Sequence, residues 1–326
     1  MDVEITEHDF ADPSDPAFDE WYDAYVSAYD RPFDFPWLAV EKRVNLTNDS
    51  YGRKLALGAW RDGGVVGGAA LTFPLRDNTS LVYLDVFVPA AHRRTGVGTA
   101  LMDRASSIAR DAGRTRLFAE GMWGVDEQTS ASTEFLSAMR FQVDLVDAVR
   151  QLDLPGNVPD APVAAGYTLR SWRNECPEEC LDDYADLRRR LISEAPNGEV
   201  GLEEEYWDAE RVRAEEADLR RSRRQVQVVV AVDGSGALAG HTQLVFSGDS
   251  DNAYQWDTLV LPEHRGHGLG LTLKSEAMRA AADLLAGRRR IITYNAASNA
   301  PMIAVNEALG YRQVAWCGEF IRDVQP

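Results

Sequence analysis

The chain repeats itself once, and this repeat limits the possible fold more than any other feature of the sequence. Residues of the same type recur 172 positions apart over a turn, a strand, a loop and the start of a helix. A constant offset across several elements predicts a duplicated domain. The matched pairs are Gly68 and Gly240, Asp85 and Asp257, His92 and His264, Arg93 and Arg265, Gly96 and Gly268, and Gly98 and Gly270.

The length and the proline positions predict where the two copies meet. A chain of 326 residues is long enough for two domains of ordinary size. Residues 154–162 contain three prolines and one glycine without any hydrophobic periodicity, which is typical of a linker. We therefore predict a domain at 1–153, a linker at 154–165 and a second domain at 166–326.

Each half alternates helical and extended patterns, which predicts a mixed α/β fold in both. Predicted strands include 55–60, 65–73 and 80–88 in the first half and 226–232, 238–246 and 253–261 in the second. Predicted helices include 16–29, 98–112, 178–191, 202–221, 268–285 and 300–309, and closing strands are expected over 311–321.

The charge balance argues against several classes of protein. The chain has 52 Asp and Glu against 34 Lys and Arg, a formal net charge of −18, which does not suit a nucleic-acid-coating surface. No apolar run is long enough to cross a membrane, and the N-terminus MDVEITEHDF has no signal-peptide pattern, so we expect a cytoplasmic protein. Cys176 and Cys180 have no histidine nearby in sequence, and no metal site is expected.

The segment that points to chemistry is an apolar strand, a short loop with the pattern R-x-x-G-x-G and a helix. It occurs as LDVFVPAAHRRTGVGTALM and again as WDTLVLPEHRGHGLGLTLK. Glycines allow a ligand to approach the backbone, and a helix start offers free N–H groups to a phosphate. Neither copy has the Gly-Lys-Ser/Thr of a P-loop, because Thr99 and Leu271 follow the last glycines. A glycine-rich packing turn is the alternative.

These loops, together with the closing segment from Asn299 to Tyr311, resemble the GNAT acetyltransferase superfamily in its tandem, two-domain form. The resemblance implies a mixed sheet that opens at a bulge in the strand before the loop. It also implies acetyl-CoA as co-substrate, with the pyrophosphate on the loop and the acetyl group passing directly to an amine.

The resemblance also carries roles to particular residues. In the second half, strand residues Leu259 and Val260 would bind the pantetheine arm, and Asn299 would contact it. The second phosphate loop would be Arg265, Gly266, His267, Gly268, Leu269 and Gly270; in the first half the corresponding residues are Val86, Phe87 and Val88 on the strand and Arg93, Arg94, Gly96, Gly98 and Thr99 in the loop.

Departures from the family pattern favour the second half as the catalytic one. Where the family often has a tyrosine that protonates the leaving thiolate, this chain has Asn306, which is a poor acid, and the first half has Leu136. Tyr294 is our candidate for the missing acid, with ordinary packing as its alternative. Asp257 is a candidate base, acting directly or through water, or else a strand residue bonded to the backbone.

We therefore predict an acetyl-CoA-dependent N-acetyltransferase that acts on a primary amine of a small molecule and is a monomer or homodimer. The acidic, aromatic stretch around Trp207 is either part of the acceptor site or a solvated helix. Two other functions stay open: a non-catalytic acyl-CoA-binding sensor and a protein N-acetyltransferase. Sensors bind CoA without releasing its thiol, and protein acetyltransferases need an open acceptor groove.

Overall fold

The computed structural model describes residues 3–12, 14–194, 198 and 201–324. The chain forms two compact units: an N-terminal unit of residues 1–145 and 317–326, and a C-terminal unit of residues 146–316. The N-terminal unit is thus built from both ends of the sequence.

The first part of the chain alternates strands and helices as predicted. The elements are β1 (Glu4–His8), α1 (Pro16–Ala28), α2 (Ala39–Thr47), β2 (Gly52–Arg61), β3 (Gly64–Pro74), β4 (Leu81–Phe87), α3 (Val97–Asp111), β5 (Arg116–Gly124), α4 (Ala131–Ala138) and β6 (Gln142–Asp153).

The second part repeats this order with two further short helices. The elements are β7 (Thr168–Arg173), α5 (Leu181–Arg189), α6 (Leu191–Glu194), α7 (Ala209–Arg221), β8 (Gln225–Val232), β9 (Leu238–Phe246), β10 (Asn252–Val260), α8 (Leu269–Ala280), α9 (Ala282–Leu285), β11 (Arg290–Ala296), α10 (Ala300–Ala308) and β12 (Arg312–Asp323).

The sheet of the N-terminal unit has the strand order β1-β2-β3-β4-β5-β12, in which β12 contributes its residues from Cys317 onwards. Helix α3 packs on one face through Leu101, Met102 and Ala105. Helix α1 covers the other face with an aromatic cluster that includes Trp21 and Tyr25. The alternating side chains of the strands thus bury both faces of this sheet.

The sheet of the C-terminal unit has the order β6-β11-β10-β9-β8-β7. Strand β6 pairs antiparallel with β11, from Asp153 opposite Arg290 to Asp147 opposite Ala296. Helix α8 packs on one face, and α5 and α7 pack on the other. The predicted linker belongs to this unit, where the carbonyls of Pro159 and Pro162 accept hydrogen bonds from α8.

These unit bounds differ from the sequence-based division at 153 and 166. The residues at the end of β6 pair within the C-terminal unit, and the residues at the end of β12 belong to the N-terminal unit. Strand exchange of this kind depends on long-range pairing, which local patterns do not encode.

Two helices differ from expectation. The helix expected over 202–221 begins only at Ala209, because the Asp208 side chain accepts a hydrogen bond from the Arg211 backbone and caps the helix there. Helix α2 was not expected; it follows the aromatic segment 33–37. Among the described residues, no helix is long and apolar enough to cross a membrane.

Candidate functional site

Strand β10 carries a β-bulge at the centre of the C-terminal unit. Its pairing with β9 runs from Ala253 to Gln255, then shifts by one residue and resumes at Thr258. Two residues of β10, Trp256 and Asp257, therefore lie opposite a single residue of β9. A bulge bends the strand and redirects its side chains, which is why the sequence alone left the direction of Asp257 open.

Beside the bulge, strands β10 and β11 separate. Their parallel pairing covers Asn252–Tyr254 against Arg290–Ile292. Beyond that point β10 pairs with β9 and β11 pairs with β6. The sheet therefore opens along Leu259 and Val260, which are the residues expected to bind the pantetheine arm.

The glycine loop at the end of this opening presents its backbone to open space. Gly266 and Gly268 have φ angles of +84° and +73°, and no atom lies within 4 Å of a Cβ added to either. Gly268 precedes α8 without any side chain that could cap the helix, so the first N–H groups of α8 face outward. Such a loop and helix start together form an anion-binding concavity.

Within this loop the residues differ in role. Leu269 is buried in the core and anchors the first turn of α8, so only its backbone faces the loop. The His267 side chain is exposed and its ring centroid lies 5.4 Å from that of Tyr167. Gly270 is the last glycine of the motif and packs against Val305.

Arg265 holds the loop against the end of β10. Its Nε donates to the Val260 carbonyl at 3.1 Å, and one Nη lies 2.8 Å from Glu194. The corresponding Arg93 donates in the same way to the Val88 carbonyl at 2.9 Å. The shared contact gives this arginine a positioning role in both units, and half of the Arg265 side chain stays exposed.

The Asp257 side chain points toward helices α5 and α7. One carboxylate oxygen lies 3.3 Å from Nη2 of Arg188, which also forms a two-point ion pair with Glu215 at 2.7 and 3.1 Å. Burial raises the pKa of Asp257; Arg188 opposes this effect, and Glu215 and Glu205 add to it. A carboxylate whose pKa is raised above its usual value is better matched to accepting a proton.

The acidic, aromatic stretch before α7 lies beside this carboxylate. The Trp207 ring is buried and packs between two guanidinium groups, with the carbon of Arg188 4.0 Å and that of Arg211 4.7 Å from its centroid. Glu205 accepts a hydrogen bond from the indole N–H of Trp207 at 2.9 Å. Residues 201–208 are therefore not helical and hold Trp207 in a buried position, whereas the helix that was the alternative begins only at Ala209.

The remaining candidates lie at different depths. Tyr294 is 43% exposed on β11. Asn299 caps α10, since its side chain accepts from the Met302 backbone at 3.2 Å. Asn306 is fully buried, and both ends of its amide are used: Oδ1 accepts from Lys274 at 2.7 Å and Nδ2 donates to Asn295 at 3.1 Å. Asn306 is thus part of a buried hydrogen-bond network, and its amide is too weak an acid to protonate a thiolate.

His241 also lies on the α5 side of the sheet. It is fully buried, and burial lowers its pKa to about 3, so the imidazole is neutral at physiological pH. Its Nδ1 lies 3.5 Å from the Tyr184 hydroxyl. A buried, neutral histidine of this kind fits a structural role better than that of a base facing the cleft.

The N-terminal unit has the same loop on a more regular strand. Strand β4 pairs with β3 from Tyr83 to Phe87 without a register shift. Val86 and Phe87 lie in this regular stretch, and the Phe87 ring packs edge-on against Trp21 at 4.7 Å. The two halves align in sequence without a gap here, and yet only the second copy has the bulge.

The N-terminal loop is open at Gly96, whose φ is +88° and whose Cβ position is free. Arg94, which occupies the position corresponding to Gly266, adopts φ +63°. The Arg61 guanidinium donates to the hydroxyl and to the backbone carbonyl of Thr95. A Cβ at Gly98 would lie 3.1 Å from the Phe135 ring. Val88 and Thr99 complete the expected set: Val88 bonds Arg93 through its carbonyl, and Thr99 is exposed on α3.

Asp85, the counterpart of Asp257, is held in place. It accepts from Lys42 Nζ at 2.9 Å and from the Tyr29 hydroxyl at 3.1 Å. The Lys42 ammonium also lies 4.3 Å from the centre of the Tyr25 ring. This carboxylate therefore belongs to an ion pair within an aromatic cluster.

Sequence reasoning missed Arg188, Glu215 and Lys274. Arg188 and Glu215 lie on amphipathic helices whose charges are typical of a solvated face, and only the tertiary fold buries Arg188. For Lys274 a signal was present. Leu269, Leu273 and Ala277 mark the buried face of α8, and Lys274 lies beside this face among apolar residues.

Comparison with known proteins gives one family and several similar structures. The model of the acetyltransferase (GNAT) family matches residues 18–138 and again 169–311. A tandem GNAT protein from the clavulanic acid biosynthesis pathway, solved without AcCoA, is 27% identical over 100% of this chain and 99% of that chain, with a TM-score of 0.84. A GCN5-related N-acetyltransferase from Sphaerobacter thermophilus shares the fold at 16% identity and a TM-score of 0.71, covering 99% of this chain and 96% of its own. No curated protein matches.

Proposed function

The chain belongs to the acetyltransferase (GNAT) family, and from this premise we propose that it transfers the acetyl group of acetyl-CoA to a primary amine of a small molecule, with catalysis in the C-terminal half. The observation that carries the proposal is the bulged β10, which sets Asp257 beside an opened sheet and an open glycine loop.

The residues present fit acetyl-CoA. The backbone of Gly266, His267 and Gly268 and the first turn of α8 would hold the pyrophosphate, because the space before both glycines is free. The edges of Leu259 and Val260 would hold the pantetheine arm in the opening between the strands. Bound acetyl-CoA would supply an activated acyl group at the bulge.

Asp257 is our candidate for the group that removes the proton of the amine, directly or through water. Its raised pKa supports this role, since proton transfer works best when the pKa of the base approaches the pH of the reaction. Tyr294, which is 43% exposed on β11, stays our candidate proton donor.

The acidic side chains near Asp257 support an amine acceptor. Glu205 and Glu215 lie beside Asp257. Two guanidinium groups pair with these three carboxylates, so one negative charge is left in excess, and a cationic amine would gain from it. We propose that the N-terminal half binds CoA at most structurally, since β4 has no bulge that would redirect Asp85. In this proposal residues 1–153 and 166–326 remain the two functional halves.

The test is a comparison of Asp257→Asn with its counterpart Asp85→Asn. Asp257→Asn should lower kcat by about 100-fold or more while acetyl-CoA affinity is kept. Asp85→Asn should leave kcat within a few-fold of the unmodified protein. Release of free thiol is measured against a panel of amines, and acetyl-CoA binding by calorimetry.

Full turnover in Asp257→Asn would refute the assignment of the base. Acetyl-CoA binding without thiol release for any amine would favour the sensor function. Turnover only with peptide amines would favour a protein N-acetyltransferase.

A further inference from the structure

An arginine is buried beside the candidate base of the C-terminal unit. Oδ2 of Asp257 lies 3.3 Å from Nη2 of Arg188 on α5. The Arg188 side chain is 5% exposed, and the Asp257 side chain is 27% exposed. Arg188 is thus shielded from an acceptor, and Asp257 is the exposed member of the pair.

The guanidinium of Arg188 is held by two neighbours besides Asp257. Nη1 and Nη2 donate to the two carboxylate oxygens of Glu215 on α7, at 2.7 and 3.1 Å. The guanidinium carbon lies over the Trp207 ring, 4.0 Å from its centre. A two-point ion pair fixes the orientation of a guanidinium, and an aromatic face restricts it further. Nη2 therefore has little freedom to move relative to Asp257.

The Trp207 ring that supports Arg188 is itself held in place. Its indole N–H donates to Glu205, and Nη2 of Arg211 lies 3.2 Å from the same carboxylate. The ring is 8% exposed. Because each of these groups has a partner, the support of Arg188 extends from α7 into residues 201–208.

The N-terminal unit pairs its matching carboxylate in a different way. Asp85 lies 2.9 Å from the ammonium of Lys42, and no second carboxylate of the described residues lies within ion-pair distance of that ammonium. In the C-terminal unit one guanidinium serves both Asp257 and Glu215. A cation that serves two carboxylates leaves one negative charge in excess. Asp257 is therefore oriented without being neutralised.

Several ionisable groups face the pair of Asp257 and Arg188 from the neighbouring elements. They are Tyr184 on α5, Glu205 before α7, Glu215 on α7 and His241 on β9. Burial keeps the tyrosine and the histidine uncharged at physiological pH, since it raises the pKa of the hydroxyl and lowers that of the imidazole to about 3. Burial raises the pKa of Asp257, Arg188 lowers it, and the two glutamates raise it. Removal of Arg188 and removal of Glu215 must therefore shift this pKa in opposite directions.

Resting on the proposed function, we propose that Arg188 is a positioning residue of acetyl transfer, which holds one oxygen of Asp257 and leaves the other for the proton of the amine. The ion pair uses Oδ2, and no described residue donates a hydrogen bond to Oδ1. Glu215 and Trp207 keep the guanidinium in place. Glu215 also shares its charge, so that Asp257 can still accept a proton.

The step balances with the groups already named. The amine nitrogen forms its bond to the acetyl carbon, and the C–S bond breaks with its electron pair moving to sulfur. The amine proton moves to Oδ1 of Asp257, directly or through water, and the thiolate takes a proton from Tyr294, our candidate donor. Solvent then removes the proton of Asp257 and restores that of Tyr294. Arg188 assists this return, because a neighbouring cation favours the carboxylate.

The test measures kcat/KM across pH with the best acceptor of the amine panel. The amine ionises at the same pH with every variant, so a bend that moves between variants belongs to the protein. Arg188→Met should move the bend of Asp257 up by about 1–2 pH units, which lowers kcat/KM about 10–100-fold at a pH below both bends. Glu215→Gln should move it down by about 1 unit, because Arg188 then serves Asp257 alone.

The rate above the bend separates orientation from charge. At a pH where Asp257 is ionised in both proteins, Arg188→Met should still have a kcat about 10-fold below that of the unmodified protein. The reason is that the carboxylate is charged but no longer held in one orientation.

Two further variants separate this role from a general loss of ion pairs. Arg213→Met removes an arginine of α7 that bonds Glu216 and Glu178 at 2.8 Å each, and should leave the bend in place. The double variant Arg188→Met, Glu215→Gln removes the two-point pair as a whole and should move the bend up by less than Arg188→Met. Urea unfolding shows whether each variant is folded. If Arg188→Met does not fold, the opposite shifts of the double variant and Glu215→Gln decide.

Failure of this proposal and failure of the proposed function give different results. A bend that stays in place in Arg188→Met, or that moves in the same direction in Glu215→Gln, overturns the proposal even if acetyl transfer proceeds. An unchanged kcat above the bend overturns the positioning of the carboxylate. Full turnover in Asp257→Asn with the bend still present, or no acetyl transfer to any amine, refutes the proposed function and, with it, this inference.

Discussion

The glycine loop of the C-terminal unit allows a quantitative prediction for Gly268→Glu. Gly268 adopts φ +73°, and no atom lies within 4 Å of an added Cβ, so the new side chain meets no clash. The cost to folding is then the left-handed backbone alone, about 1–2 kcal/mol. The protein should stay folded, and any larger loss of function must come from the ligand.

The effect on acetyl-CoA follows from charge. A glutamate at this position places a carboxylate beside the proposed pyrophosphate, where two unit charges about 4 Å apart repel by about 4 kcal/mol at a dielectric constant near 20. At about 1.4 kcal/mol per tenfold, affinity should fall by roughly 1,000-fold.

A matched control separates backbone strain from charge. Gly287 has φ +82° and an equally open Cβ position, but it lies in the turn between α9 and β11. Gly287→Glu should lose the same stability and keep acetyl-CoA affinity. In the N-terminal unit, Gly96→Glu is the test variant and Gly113→Glu is its control, because the two glycines have φ angles of +88° and +69° and equally open Cβ positions.

The assays are calorimetric titration with acetyl-CoA and urea unfolding of each variant. Two binding sites, one lost in Gly268→Glu and one in Gly96→Glu, would mean that both units hold CoA. Unchanged affinity in Gly268→Glu would refute the assignment of this loop to the pyrophosphate.

Two further predictions concern stability. Gly240→Ala should cost about 1–3 kcal/mol of unfolding free energy, since its Cβ would lie 2.5 Å from the Leu259 carbonyl, whereas Gly234→Ala meets nothing closer than 3.7 Å and should cost little; urea unfolding that ranks the two equally would contradict this. Burial lowers the folded-state pKa of Lys274 to about 7, while the unfolded chain holds this proton up to about pH 10, so the contribution of Lys274 to stability should rise between pH 7 and 10. The unfolding free energy of Lys274→Met minus that of the unmodified protein should therefore be larger at pH 7 than at pH 10, by about 4 kcal/mol. A difference that does not change with pH would refute this.

The two glycine loops and the strands before them could be predicted from the sequence, because both rest on short-range chemistry. Gly96 and Gly268 lie at helix starts with positive φ, as the R-x-x-G-x-G pattern indicates. The resemblance implied a bulge in the strand before the loop, but the residues could not show which copy has it, since Asp85 and Asp257 occupy matching positions and only β10 shifts its register.

The burial of charged side chains could not be predicted from the sequence either. Lys42 and Lys274 are two of only three lysines in the chain, and both are buried, at 5% and 1% exposure. Their partners, Asp85 and Asn306, come from distant elements. A compact ammonium fits such sites better than a guanidinium, so a lysine in this arginine-rich chain was a signal that only the fold explains.

The position of β12 in the sheet of the N-terminal unit has a consequence for synthesis. The N-terminal unit includes residues 317–326, and the Val324 backbone donates to the Thr115 carbonyl at 2.7 Å beside β5. A nascent chain that has finished its first half on the ribosome therefore still lacks the strand that closes its sheet edge at β5. We expect that edge to stay exposed until β12 has been synthesised, so a chain stalled after the first repeat should need chaperone protection that a chain extended through β12 does not.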